Sequence, residues 1–191
     1  MSLFEFVLVM TSLVLAIGVT RLLQHLAAIV RCRNTLLIDW VPLTWMIILF
    51  LAVASYWWSL WDFRDLEWTF PSFFFLFLSP TLQYVAISLL VSTDVTEHGA
   101  SLAAGFEKIR SPFFLVMMTF QLMVAFDGWL FGVEPAWNSL RLVQFFIIGM
   151  YFVGAVVAKP LVQKTVALSI LGIFVVANFV LRFLPGAFGP S

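Results

Sequence analysis

Six stretches of this chain, each about twenty residues long, carry little or no charge, and their length restricts the fold more than any other feature of the sequence. An α-helix needs about 20 apolar residues to cross about 30 Å of hydrocarbon, whereas the strands of a membrane barrel are alternating segments of about 10 residues. We therefore predict an all-α integral membrane protein, a bundle of six transmembrane helices that forms a single domain over residues 1–191. The predicted spans are 3–23, with the helix extending to 31, then 40–61, 68–91, 112–133, 140–158 and 165–184.

The composition agrees with this prediction and argues against several other classes of protein. Hydrophobic residues make up 63% of the chain and charged residues 10%, with a mean hydropathy of +1.07, whereas about a quarter of the residues in a soluble domain are charged. The net charge is zero, so no basic field favours nucleic acid as a partner. The single cysteine, Cys32, excludes an intrachain disulfide and a multi-cysteine metal site. The sequence contains no nucleotide-binding, metalloprotease or nucleophile motif, so we predict no cofactor and favour a protein that is not an enzyme.

The one sizeable polar stretch lies between the third and fourth predicted spans, at residues 92–111. Within it, apolar residues recur at helical spacing at Leu102, Phe106 and Ile109. This pattern predicts a short amphipathic helix lying on the membrane surface. The fourth span would then begin at Pro112, because proline is tolerated in the first turn of a helix.

The loop charges predict how the bundle is oriented. Seven of the ten basic residues fall on the side of the first, third and fifth loops, namely Arg21, Arg31, Arg33, Lys108, Arg110, Lys159 and Lys164. Basic loops are retained on the cytoplasmic side, so we place both termini outside a plasma (inner) membrane. The outer face then carries six acidic residues, Glu5, Asp62, Asp65, Glu67, Asp127 and Glu134, against three basic ones, Arg64, Arg141 and Arg182.

A polar stripe follows the second span. Ser55, Ser59, Asp62 and Asp65 fall near one helical face, and Arg64 lies between the two carboxylates as an ion-pair partner. One interpretation is the lining of a hydrated path that ends in carboxylates able to attract a cation. The other is that the small hydroxyls allow close helix packing while the acids only mark the water boundary.

Asp127 is the acid that the pattern places deepest in the membrane, because apolar residues follow it to Val133. A carboxylate at that depth needs a partner or water. Arg182 on the sixth span is the first partner we predict, and Arg141 the second. The alternatives are a structural ion pair and a transport or protonation site.

Two amides and a proline lie in the middle of the spans. Pro80 cannot donate to the carbonyl of Leu76, so we expect a kink there, with Ser79, Thr81 or water satisfying the carbonyl. Gln83 follows one turn after Ser79, and Gln121 is central in the fourth span. Such amides either hold helices together or contact a solute.

Arg21 and His25 lie one turn apart near the predicted cytoplasmic end of the first span. They are candidates either for contacts with lipid headgroups or for an inner gate that contacts an anion.

The leading functional hypothesis is therefore a membrane transport protein, a homo-oligomeric channel or small carrier for a cation or small polar solute with an acidic outer vestibule. The alternative is a noncatalytic membrane module that binds lipid, an apolar cofactor or another membrane protein. A lipid-active enzyme is a third interpretation, which the lack of a nucleophile or metal motif disfavours. The expected partners are the bilayer, further copies of the chain, and a lipid or apolar ligand.

Overall fold

A computed structural model describes residues 3–92, 95–96, 99–132 and 139–181 of the chain. These residues form six α-helices, α1 (Leu3–Arg31), α2 (Trp40–Ser59), α3 (Phe70–Leu90), α4 (Leu102–Leu130), α5 (Ser139–Val156) and α6 (Pro160–Val176). A 3-10 turn (Leu60–Phe63) extends α2, and a π-helical turn (Ala177–Leu181) extends α6. Within these ranges the one element of β pairing is an isolated bridge between Leu37 and Ser101.

Five of these helices, with their short extensions, are long and apolar enough to cross a membrane. Over the residues that the structure describes, they cover Leu3–Arg31, Trp40–Phe63, Phe70–Leu90, Leu102–Leu130 and Pro160–Phe179. The apolar part of α5, Arg141–Val156, is shorter. All 18 residues of α5 extend about 27 Å, because each helical residue adds about 1.5 Å. The all-α fold is thus confirmed with five helices of spanning length, and the sixth span remains a prediction.

Polar side chains fix the first turns of three helices. Asp39 accepts a main-chain N–H at the start of α2 (2.8 Å), and Ser101 accepts one at the start of α4 (3.3 Å). Thr69 and Ser72 form a reciprocal capping box at the start of α3. These bonds satisfy N–H groups that have no acceptor inside the helix, so α2 and α3 begin within two residues of their predicted starts.

The segment predicted as a separate surface helix is instead the first part of α4, which begins at Leu102 and continues through Pro112. Leu102 and Phe106 are buried, and Phe106 packs against the rings of Phe113 and Phe114 (5.8 and 6.1 Å between centroids). The amphipathic pattern therefore reflects packing against the bundle. Pro112 has no N–H to donate to the carbonyl four residues earlier in the helix. This turn is exposed, so water can reach that carbonyl.

Helix α2 lies at the centre of the bundle and packs against α1, α3, α4 and α6. Its fully buried Trp45 makes edge-to-face contacts with Phe113 and Phe114 of α4, at 5.3 and 5.1 Å between centroids. The same indole lies 6.1 Å from the ring of Tyr151 on α5. Aromatic pairs of this kind contribute about 0.5–1.5 kcal/mol each beyond the burial of their surface. The core is thus built around one tryptophan.

Helices α4 and α5 approach closely at Gly154. A Cβ atom there would lie 2.7–2.9 Å from ring atoms of Phe114, which is itself fully buried. At the same place, Arg110 Nη1 donates to the carbonyls of Gly154 and Ala155 (2.6 and 2.7 Å). Gln163 Nε2 donates to the carbonyl of Gly154 as well (3.0 Å). Two side chains therefore satisfy the last carbonyls of α5, which have no N–H partner within the helix.

One end of the bundle gathers the first, third and fifth connections. The N–H of Leu37 donates to the carbonyl of Ala100 (2.9 Å), and the N–H of Leu102 donates to the carbonyl of Leu37 (3.1 Å). Lys164 lies over the ring of Trp40 (5.9 Å), which brings the fifth connection to this end. The loops that carry the basic residues predicted to share a side thus meet at one end. Which face of a membrane this end meets remains a prediction.

The opposite end carries exposed indole rings and the acidic cluster of the second connection. Phe4 at the start of α1 contacts Trp61 and Trp68 (6.1 and 6.4 Å between centroids). Trp58 and Trp61 are 71% and 60% exposed. Indole rings favour the boundary between hydrocarbon and water, so their exposure fits an interfacial position for this end.

Candidate functional site

The carbonyl that Pro80 leaves without a helical partner is satisfied from a different helix. Tyr56 on α2 donates its hydroxyl to the carbonyl of Leu76 at 2.7 Å. The sequence predicted help from Ser79, Thr81 or water and did not identify Tyr56 as a donor. Thr81 bonds the carbonyl of Phe77, and the Ser79 hydroxyl lies beside that of Tyr56. Tyr56 can reach this carbonyl because α2 packs against α3.

Three polar side chains near this proline are fully buried, and two of them have hydrogen-bonding atoms without a partner. Gln83 donates from Nε2 to the carbonyl of Ala52 (3.3 Å), yet its Oε1 accepts nothing from the described residues. The Thr11 hydroxyl is without a partner there, and the Ser79 hydroxyl lies beside that of Tyr56. A buried polar atom without a hydrogen bond costs about 1–3 kcal/mol, so such atoms indicate a place where water or a ligand binds.

These three side chains lie in the interior formed by α1, α2 and α3. Helices α1 and α3 run in parallel, since Phe6 contacts Phe73 near one end and Arg21 bonds Ser88 near the other. Thr11 is therefore at about the level of Ser79 along the bundle, whereas Gln83 bonds α2. Gln83 follows one turn later on the same side of α3. We call Thr11, Ser79 and Gln83 the polar cluster.

The predicted stripe on α2 is only partly continuous. Ser55 donates to Oδ1 of Asn178 beyond α6 (2.7 Å), and Ser59 donates to the carbonyl of Tyr56 (2.8 Å). The α-helix then ends and a 3-10 turn follows, which changes the direction of the later side chains. The two serines thus hold neighbouring groups, and the structure separates them from the acids beyond.

The acids of the second connection lie at the surface. Asp62 is exposed, and Asp65 has 83% of its side chain exposed. Arg64 pairs with Asp65 (3.2 Å) and stacks on the ring of Trp61 (5.5 Å). This pair is an exposed one between sequence neighbours, and pairs of that kind contribute little to stability.

Asp127 is half-buried near the end of α4, and Arg141 lies beside the same helix. Asp127 accepts the N–H of Gly128 (2.6 Å). Arg141 is buried, donates to the carbonyl of Ala125 and lies over the ring of Phe126 (5.9 Å). Arg182, the partner predicted first for Asp127, lies outside the described residues. Gln121 is buried on α4, two turns before Gly128.

The Arg21 side chain extends from α1 to the last turns of α3, at the side of the bundle. Its Nη1 donates to the hydroxyls of Tyr84 and Ser88, both at 2.9 Å, and its guanidinium lies 5.7 Å from the centre of the Tyr84 ring. His25 follows one turn later, with a buried Nε2 that has no partner among the described residues. Arg21, one of the two basic residues singled out from the sequence, thus has two hydroxyl groups as hydrogen-bond partners.

An apolar groove of about 630 Å³ opens between α5 and α6. Its lining includes Phe145, Gly149, Val153, Leu161 and Val166. Its surface suits a hydrocarbon chain or an apolar helix face.

Sequence reasoning missed the roles of Tyr56, Tyr84, Ser88 and Arg110, because each acts on a distant segment of chain. The one local signal was Pro80. A proline within a helix indicates that a carbonyl lacks its helical donor, but it does not indicate which group donates to that carbonyl instead. For Arg110, the only related signal was the short connection at 157–159. It shows where α5 ends, but it does not show that Arg110 on α4 bonds this end.

The fold defines this chain as an all-helical protein with five helices of membrane-crossing length among its described residues. Those residues contain no group of three or more His, Cys, Asp or Glu side chains that could hold a metal ion. Comparison with protein-family models, curated proteins and solved structures gave no significant match.

The Tyr56 bond gives a direct stability prediction. Tyr56→Phe should lower the free energy of unfolding by about 1–3 kcal/mol, because it leaves the carbonyl of Leu76 buried and unpaired. Pro80→Ala restores the N–H that bonds this carbonyl, so Tyr56→Phe should lower the free energy of unfolding much less in a protein that already carries Pro80→Ala. Tyr151→Phe is the control, since the Tyr151 hydroxyl is equally buried and has no partner in the described part of the chain. Thermal unfolding in detergent measures all four variants, and equal losses for Tyr56→Phe in both backgrounds would contradict the assignment.

Proposed function

We propose that this protein is a membrane transport protein, a channel or small carrier for a cation or a small polar solute. The solute contacts the polar cluster and Asp127. The protein acts as a homo-oligomer in the plasma membrane, with both termini and the acidic end outside.

The observation that carries the proposal is the pair of buried, unpartnered oxygens on Thr11 and Gln83, with the Ser79 hydroxyl near them. An apolar side chain of the same shape at these positions would avoid the cost of burying an unpaired oxygen. Hydroxyl and amide oxygens in a low-dielectric interior suit a cation or a hydrogen-bond donor. The nearby proline supports this location, because it has already removed one helical hydrogen bond.

Asp127 and the acids of the second connection have different roles in this proposal. Asp127 is half-buried near the end of α4 and supplies a charge that is partly shielded from solvent. Asp62 and Asp65 are exposed and raise the local concentration of cations at the outer end. Surface attraction is screened by salt over about 10 Å at 0.1 M, whereas a buried charge is screened much less.

Flux in liposomes tests the proposal. Purified protein should conduct at least one of Na⁺, K⁺, H⁺ or a small polar solute, and Asp127→Asn should lower that flux about tenfold at any ionic strength. Asp62→Asn with Asp65→Asn should lower it a few-fold at low salt, and this loss should disappear at high salt. Full flux in the Asp127 variant contradicts the residue assignment, and no flux of any tested species contradicts the class.

The polar cluster can be separated from a structural role by variants that preserve shape. Thr11→Val removes a hydroxyl that has no partner within the described residues, so stability should stay the same or rise. Ser79→Ala removes a hydroxyl that lies beside Tyr56 and is the companion variant. If these hydroxyls contact the solute, flux should fall in the same variants. Unchanged flux with raised stability would show that the cluster is only a packing feature.

The groove between α5 and α6 favours a second function, a noncatalytic module that binds lipid, an apolar cofactor or a partner membrane protein. Its lining is apolar and lies on the side of the bundle away from the polar cluster. This function predicts a co-purifying ligand or partner and no conduction.

A further inference from the structure

Arg21 forms a polar site on the lateral surface of the bundle that the transport proposal does not use. The guanidinium is exposed, and it has no acidic partner among the described residues. Its two partners, Tyr84 and Ser88, are neutral hydroxyls, so its positive charge is not compensated within the described structure. A cation at this depth in a membrane needs an anion or water.

The free hydrogen-bonding groups of Arg21, Tyr84 and Ser88 are mainly donors. Tyr84 and Ser88 each accept a hydrogen bond from Arg21 Nη1, so each hydroxyl retains its own hydrogen for donation. The N–H groups on Nε and Nη2 of Arg21 have no acceptor in the described ranges. A ligand that satisfies such a set must be negatively charged and consist mainly of acceptors. A phosphate group has both properties and matches the planar fork of arginine.

The surroundings identify where that phosphate group comes from. Ile17 and Leu23 on α1 are 55% and 49% exposed, and Val85 on α3 is 37% exposed. They flank Arg21 and Tyr84 with apolar surface. The site also lies within the last two turns of α3, about 3–9 Å before the helix ends at Leu90. When a helix of this length spans the bilayer, lipid phosphates lie just beyond its end, within reach of the long Arg21 side chain, and the acyl chains run along the helices.

We infer that Arg21, Tyr84 and Ser88 bind the phosphate group of an anionic membrane lipid in the groove between α1 and α3. The guanidinium makes charge-assisted hydrogen bonds to the phosphate oxygens, and the two hydroxyls hold the guanidinium and donate to the same phosphate. The exposed apolar side chains beside the site contact the acyl chains. The site is separate from the polar cluster, and a protein without transport activity could equally possess it.

Native mass spectrometry of the full chain in detergent tests this site. The probes are phosphatidylglycerol and phosphatidylcholine with identical acyl chains, because the first is anionic and the second has a choline that offsets its phosphate. The wild type should bind phosphatidylglycerol more tightly. Arg21→Gln should weaken that binding about tenfold, toward the value for phosphatidylcholine, because a hydrogen bond to a charged group is lost. Tyr84→Phe combined with Ser88→Ala should weaken it a few-fold while leaving the charge in place.

Arg31→Gln is the matched control, because Arg31 is an exposed arginine on the same helix, ten residues further along. It should leave lipid binding unchanged, and an equal loss in this variant would show non-specific attraction and overturn the site. Equal affinity of the wild type for the two lipids, or unchanged binding in the Arg21→Gln variant, would also overturn it. Inorganic phosphate, added as a third probe, should compete only weakly. Arg21-dependent binding of inorganic phosphate without a preference for phosphatidylglycerol would contradict a lipid as the source.

Discussion

Gly154→Ala is expected to destabilise the protein by about 1–3 kcal/mol, although alanine normally favours a helix over glycine. The new Cβ atom would lie 2.7–2.9 Å from the ring of Phe114, which is fully buried and so has no free space to move into. The helices would have to separate where Arg110 and Gln163 bond the end of α5. Thermal unfolding in detergent, followed by tryptophan fluorescence, would measure the loss.

The chain offers two matched controls for this prediction. A Cβ atom at Gly149 on α5 or at Gly172 on α6 would meet nothing within 4 Å. Alanine at either position should therefore leave stability unchanged or raise it by about 0.5–1 kcal/mol. Phe114→Leu should relieve part of the loss when combined with Gly154→Ala. The same effect at all three glycines would contradict a specific contact with Phe114.

Arg110→Met should be comparably destabilising, by about 3 kcal/mol, because the side chain is only 12% exposed and its bonds are charge-assisted. Its Nη1 satisfies two carbonyls at the negative end of the α5 dipole, those of Gly154 and Ala155. Methionine preserves much of the apolar stem, so the loss reports on the charge and the hydrogen bonds. The measurement is again the unfolding midpoint in detergent.

Lysine at position 110 should recover part of the loss, since it keeps the charge but lacks the planar fork. Lys108→Met is the control for removing a nearby cation, because Lys108 is exposed on the same helix. Equal destabilisation by Lys108→Met and Arg110→Met would indicate that net charge matters and that the capping bonds do not.

The helices could be located from sequence because their apolar runs match the thickness of a bilayer. The start of α2 at Trp40 agrees with the prediction. The start of α4 does not, because Pro112 indicates a first turn as readily as an interruption within a longer helix. The apolar face of Leu102 and Phe106 was identified correctly, but sequence could not tell whether lipid or protein covers it.

The candidate sites were harder to predict because their geometry depends on which helices are neighbours. Arg21 and Asp127 could be singled out, since a charge within an apolar run is costly. Tyr84 and Ser88 could not be joined to Arg21 without knowing that α1 and α3 run side by side in parallel. For the same reason the sequence left the serines of α2 open between a hydrated lining and helix packing, and it did not predict that Ser55 bonds Asn178 or that Ser59 bonds its own helix.

The pairing of Leu37 with Ala100 and Leu102 also constrains the order of assembly during synthesis. The loop between α1 and α2 is complete in sequence long before its hydrogen-bond partners exist, because those partners follow α3. Until the ribosome has made the start of α4, the polar groups of this loop depend on water. These hydrogen bonds of the loop between α1 and α2 can therefore form only after α3 and the start of α4 have been made.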